Sequence, residues 1–248
     1  MSFSPPTDPR EPVTHIGEPG ALRILFIHGF TGSPQTLQPQ YLAAIEAGFN
    51  VKVPLLSGHG TSIEDMVATR YSDYLSDVRR AMDDFCPPEG QVAVVAISMG
   101  GTLAIDLALS DPRVSKLVLV NPLVVAPADS FLDFMDQVIA TGIEIAPAIG
   151  SDIADPSVKE VSYNGAPIRA AKSLYLAARK IEEQVGLLSL PILLFSSEED
   201  HVIPPVSGEV LFERAKNVSR VLLRRSYHVA TLDFDKDIIN LGMLEFLK

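Results

Sequence analysis

The chain has 248 residues, 47% hydrophobic and 21% charged, with a formal net charge of −11. That length and apolar content suit one large domain with a sizeable core, or a domain carrying an insertion. The acidic balance argues against a nucleic-acid partner and against electrostatic docking on anionic membranes, while apolar lipid stays open as a substrate.

A proline-rich start, residues 1–12, is expected to trail over the surface. Residues 23–28 (RILFIH) read as a buried strand. Residues 36–47 read as a helix, with Leu37, Tyr41, Leu42 and Ile45 near helical spacing, and residues 50–56 as the next strand. Residues 71–85 are helical, with Tyr71, Tyr74, Leu75, Val78, Met82 and Phe85 on one face. Residues 92–97 form a central strand, 102–109 a helix, and 114–120 a strand stopped by Asn121-Pro122. Strands at 191–196 and 220–224 and a helix over 231–248 complete the chain. Alternating strands and helices predict the α/β class, a mostly parallel sheet flanked by helices. Residues 123–186 break the alternation with helical patterns (131–140, 167–183) and no convincing strand. They are too long for an ordinary connection and read as a helical cap inserted before the penultimate core strand. The expected division is a core of 1–122 and 187–248 and a cap of 123–186.

Cys86, the only cysteine, has no internal disulfide partner, which suits a reducing compartment. The start of the chain lacks the basic and apolar regions of a signal peptide, and no apolar run nears the roughly 20 residues of a membrane span. The expectation is a soluble, cytoplasmic protein.

The stretch Ala96-Ile97-Ser98-Met99-Gly100 joins a strand to a helix through a serine with small residues two before and two after it. That is the layout of a nucleophile elbow, with Ala96 where glycine is usual. A serine alcohol needs a base to take its proton and a carboxylate to orient that base. Of five histidines, only His201 and His228 follow Ser98. His228 stands after the last strand and is the candidate base; His201 reads as a solvated loop residue. No carboxylate follows the 114–120 strand at once. After the 191–196 strand come Glu198, Glu199 and Asp200, among which order alone ranks Asp200 only modestly first. Met99 N–H and Phe30 N–H, the latter in His28-Gly29-Phe30-Thr31-Gly32, are the candidate oxyanion donors. His28 and His59 read as local braces.

Five segments, HGFTGS at 28–33, LSGHGTS at 56–62, AISMGGTLA at 96–104, EEDHVIPP at 198–205 and SYHVATLDFD at 226–235, resemble the bacterial monoacylglycerol lipases and related carboxylesterases of the α/β-hydrolase superfamily. The segment GSDIADPSVKEVSY at 150–163 resembles the monoacylglycerol lipases in particular. The likeness covers essentially residue 23 to the end. It implies the α/β-hydrolase fold and Ser98, Asp200 and His228 as nucleophile, acid and base. It also implies Phe30 and Met99 amides as the oxyanion hole. Glu160 falls where a cap carboxylate binds the glycerol hydroxyls, with Ile149 lining the pocket nearby. The expected reaction is carboxylic ester hydrolysis, with monoacylglycerol as the favoured small-molecule substrate and no metal or organic cofactor. A general carboxylesterase or thioesterase is the nearest alternative, and a catalytically silent ligand-binding protein is the alternative of another class.

Overall fold

The structure, a computed structural model, describes residues 3–148 and 151–248. In chain order the elements are β1 (Val13–His15), β2 (Arg23–Ile27), α1 (Gln38–Glu46), β3 (Asn50–Val53), α2 (Ile63–Val67), α3 (Tyr71–Phe85), β4 (Val92–Ile97), α4 (Met99–Ser110), β5 (Val114–Val120), α5 (Asp129–Ala140), β6 (Ile145–Pro147), β7 (Gly165–Pro167), α6 (Ile168–Gln184), β8 (Ile192–Ser197), α7 (Val206–Arg214), β9 (Val218–Leu223) and α8 (Lys236–Leu247).

Seven strands form one sheet in the order β1-β3-β2-β4-β5-β8-β9, and every pairing except β1–β3 is parallel. Helices cover both faces, which is why β4 reads VAVVAI without a polar side: all six of its residues are buried. One face packs on α3, α4 and α6 through Met82, Leu103 and Ile181. The other packs on α1 and α8 through Tyr41, Ile239 and Met243. The α/β-hydrolase architecture expected from the sequence is therefore present. Parallel pairing brings the C-terminal ends of β2, β4, β5, β8 and β9 to one edge, where loops meet.

Several elements differ from the expectation. Residues 3–12 carry no helix or strand and none of them is buried, but an unexpected strand follows at once. Val13–His15 adds an antiparallel edge strand, and the Phe3 ring meets the edge of His15 at 5.3 Å. Three residues are too few to show a period. Helices α2 and α7 also escaped notice; α2 spans five residues and starts where Ser62 Oγ accepts from Asp65 N at 3.3 Å. The last helix begins at Lys236 rather than at residue 231. The Asp233 carboxylate accepts from Tyr227 N and Phe234 N, and Asp235 accepts from Arg225 N. These side-chain bonds offer the backbone an alternative to the helix.

The segment after β5 returns to the sheet at β8, the strand beside it. It holds α5, α6 and a ribbon in which β6 pairs antiparallel with β7. The expectation of no strand here is corrected. Each ribbon strand has three residues and ends in proline, so neither carries a readable alternation. Leu132, Met135, Ile168 and Ala171 form a small core of their own, and α6 then runs into the main core at Ala178 and Ile181. Among the described residues no helix is long and apolar enough to cross a membrane.

Candidate active site

The apolar run of β4 ends at Ser98, and α4 begins at the next residue. Ser98 has φ 56° and ψ −122°, a conformation that side chains disfavour and that holds the hydroxyl out on a sharp turn. Such strain persists only where the surroundings enforce it. Ser98 N donates to Val120 O at 3.1 Å and Ser98 O accepts from Leu123 N at 3.3 Å, and the turn also brings α4 close against the end of β2. A Cβ on Gly100 would lie 2.2 Å from Ile27 O and 2.7 Å from His28 O. Ala96, the departure from glycine, is fully buried in β4.

Met99 is the first residue of α4, so its N–H has no carbonyl of its own helix to meet. Phe30 N–H lies in the loop after β2. Neither N–H is given to another described residue. Two buried histidines hold this loop. His28 Nδ1 donates to Gly29 O at 2.9 Å, and its Nε2 accepts from Leu56 N at 3.2 Å. His59 Nδ1 donates to Ser57 O at 3.0 Å, and its Nε2 accepts from Thr31 N at 3.2 Å. Each ring donates once and accepts once, which requires the neutral form. Both are braces, as expected.

Burial, reinforced at His28 by the neighbouring His59 ring, pushes His28 down to about 3; burial pushes His59 down to about 4. From about pH 6.5 down to about pH 4, the unfolded chain binds protons that the folded chain refuses. Stability is therefore complete above that window and falls as pH drops through it. At pH 5.5 each ring is expected to cost about 1.4 kcal/mol. Urea midpoints at pH 7.5 and 5.5 measure this, and His59→Gln should remove about half of the pH dependence. An unchanged slope in that variant would exclude His59 as a source.

Asp200 follows β8 and His228 follows β9. His228 Nδ1 donates to Asp200 Oδ2 at 2.8 Å, with 8% of the His228 and 4% of the Asp200 side chain exposed. Asp200 Oδ1 accepts from Val202 N at 2.9 Å and Ile203 N at 2.8 Å, which locks the carboxylate. Nε2 is then the ring atom left to work. Ser98 and His228 line one cavity of about 350 Å³.

Asn121, at the position that lacks a carboxylate, is a tie. Its Oδ1 accepts from Ser197 N at 2.8 Å, and its Nδ2 donates to His228 O at 2.8 Å. Asp152 is a second residue whose part was not read from the sequence. Its Oδ2 accepts from His228 N at 3.0 Å and His201 N at 3.2 Å, and its Oδ1 accepts from His201 Nδ1 at 2.8 Å. His201 is half-exposed yet held there, with its ring edge-on to Tyr227 at 4.5 Å. No local signal marks Asn121 or Asp152, because their partners lie far off in the chain. Glu198 and Glu199 are exposed.

The cavity has two kinds of wall. Leu123, Phe131, Leu174, Tyr175 and Ile203 are apolar; Thr31, Thr36 and Glu160 are polar. Thr36 Oγ1 donates to Glu160 Oε1 at 3.0 Å. Desolvation pushes the Glu160 carboxyl up, opposed by the Thr36 bond. Ile149 lies outside the described residues.

The family described as serine aminopeptidase, S33, matches residues 19–235. The chain belongs to this family of serine hydrolases. The hydrolase is 34% identical to a thermostable monoacylglycerol lipase of Bacillus sp. (strain H-257), over 92% of this chain and 91% of the relative. It is 22% identical to a carboxylesterase of Bacillus subtilis (strain 168), over 96% of each. A solved structure described under LipS and LipT, two metagenome-derived lipolytic enzymes, superposes with a TM-score of 0.88 and 31% identity, covering 97% of this chain and 98% of that one. The monoacylglycerol lipase of Paleococcus ferrophilus shares the fold at a TM-score of 0.78 and 17% identity, covering 96% and 97%.

Proposed function

We propose that this hydrolase cleaves carboxylic esters, monoacylglycerols above all, through an acyl-enzyme on Ser98. The observation that carries the reading is the buried Asp200–His228 hydrogen bond of 2.8 Å beside a serine held at φ 56° in the same cavity. His228 Nε2 takes the proton of Ser98 as Oγ attacks the ester carbonyl, and Asp200 stabilises the imidazolium that forms. Met99 N–H and Phe30 N–H hold the oxyanion. His228 then protonates the leaving glycerol oxygen. Water repeats the sequence in reverse and frees the fatty acid and Ser98. The apolar wall suits an acyl chain. The Thr36–Glu160 pair supplies acceptors for glycerol hydroxyls.

The test is a hydrolysis panel of mono-, di- and triacylglycerols, p-nitrophenyl esters and an aminoacyl anilide, with fluorophosphonate labelling alongside. Monoacylglycerol should turn over fastest among the glycerides, and the label should be absent from Ser98→Ala. A protein that cleaves nothing in the panel, or one whose Ser98→Ala variant labels equally, would end the proposal.

Glu160→Ala is expected to lower kcat/KM for monoacylglycerol by roughly 10- to 100-fold relative to a p-nitrophenyl ester of the same acid. That range reflects the about 1.5–3 kcal/mol of a hydrogen bond to a charged group. An unchanged ratio would remove Glu160 from glycerol recognition.

A further inference from the structure

Both peptide poles of His228 are held, and by different parts of the molecule. Its C=O accepts from Asn121 Nδ2 at 2.8 Å, at the end of β5. Its N–H donates to Asp152 Oδ2 at 3.0 Å, in the segment joining β6 to β7. The same Asp152 oxygen accepts from the N–H of His201, the residue after Asp200, at 3.2 Å. Asp152 Oδ1 takes His201 Nδ1 at 2.8 Å, and Asp152 O accepts from Val229 N at 3.0 Å. One carboxylate, 9% exposed, thus bridges the loop that carries the acid and the loop that carries the base. A second buried carboxylate anchors the adjoining stretch: Asp233 accepts from Ala154 N at 2.7 Å and Asp155 N at 3.0 Å. Further along, Tyr163 N donates to Thr31 O at 3.1 Å, within the oxyanion loop. The segment is laced to the active-site edge from Asp152 to Tyr163.

We infer that Asp152 is a positioning residue: a carboxylate outside the sheet sets the register between the Asp200 and His228 loops, so that the cap segment is part of the proton relay's geometry. The inference rests on Ser98, Asp200 and His228 being the catalytic residues. Removing the Asp152 carboxylate leaves three backbone and ring donors without their acceptor; the His228 peptide then keeps only its Asn121 bond, and the loop its main-chain tie from Val229 N to the carbonyl of residue 152. Displacements of this kind, near 1 Å, cost about 10²-fold in rate.

The experiment measures kcat and KM for a soluble p-nitrophenyl ester, and the rate of fluorophosphonate labelling, in Asp152→Ala, Asp200→Asn and the double variant. Asp152→Ala is expected to lower kcat and the labelling rate roughly 10- to 100-fold, with KM changed less than about twofold. In the Asp200→Asn background, where the relay is already broken, the same change should cost less than about twofold, because residues that act as one unit are not additive. Equal factors in both backgrounds would mean a merely structural role and overturn the inference. So would a rise in KM alone. If Asp152→Ala does not fold, Asp152→Asn, which keeps one acceptor oxygen and the shape, carries the same comparison. A fully active Asp152→Ala beside a dead Ser98→Ala overturns the clamp and leaves the catalytic reading standing. An active Ser98→Ala overturns both.

Discussion

His228→Ala is expected to lower kcat/KM for a soluble ester by on the order of 10⁵- to 10⁶-fold while the protein stays folded. Loss of the base alone removes nearly all of what a serine, its base and its acid achieve together, since an unassisted alcohol is a weak nucleophile. The fold should survive because the loop at residue 228 is held by its main chain, through Asn121 Nδ2 and Asp152 Oδ2, and not by the imidazole. Among the described residues the ring bonds to Asp200 alone. Circular dichroism and a thermal melt check the fold, and a stopped assay on p-nitrophenyl butyrate checks the rate. Turnover within about a hundredfold of the parent would mean that another group takes the proton. The half-exposed His201 would be the first to examine.

Gly100→Ala is expected to destroy the fold around the elbow, destabilising by more than about 4 kcal/mol or yielding no soluble protein. The added carbon would meet Ile27 O at 2.2 Å and His28 O at 2.7 Å, and both are main-chain atoms at the end of β2. A flexible side chain would yield to such a contact; the backbone of a fully buried strand end, paired with β4 at Ile27, has little room to move. The displaced backbone is also the one that leads to Phe30 N–H, so any variant that does fold should label slowly with a fluorophosphonate. Urea denaturation and recovered yield are the measurements. A variant within about 1 kcal/mol of the parent, labelling at the parent rate, would show that the elbow is looser than its distances say.

Much of the candidate site was legible in the sequence because its cues are local. The strand–serine–glycine–helix run specifies its own turn, and His28-Gly29-Phe30-Thr31-Gly32 sits directly after a strand. His228 could be singled out because few histidines follow Ser98. Asp200 was harder. Three acids stand in a row, and spacing cannot say which carboxylate turns inward. In the structure Glu198 and Glu199 point to solvent, while Asp200 is fixed by the amides of residues 202 and 203. The ribbon β6–β7 and edge strand β1 were illegible for another reason. Each is three residues long and exists only because a distant segment completes its hydrogen bonds.

The sequence by itself determined the parallel sheet, the helices that cover it and the strained serine at its edge, since periodicity and turn chemistry act over a few neighbouring residues. Only the tertiary structure decided how the loops carrying Asp200 and His228 are held together. Asn121 reaches the carbonyl of residue 228, and Asp152 reaches two amides from outside the sheet. Such bonds join residues far apart in the chain, and a carboxylate destined for a buried amide looks, in sequence, like any other surface charge.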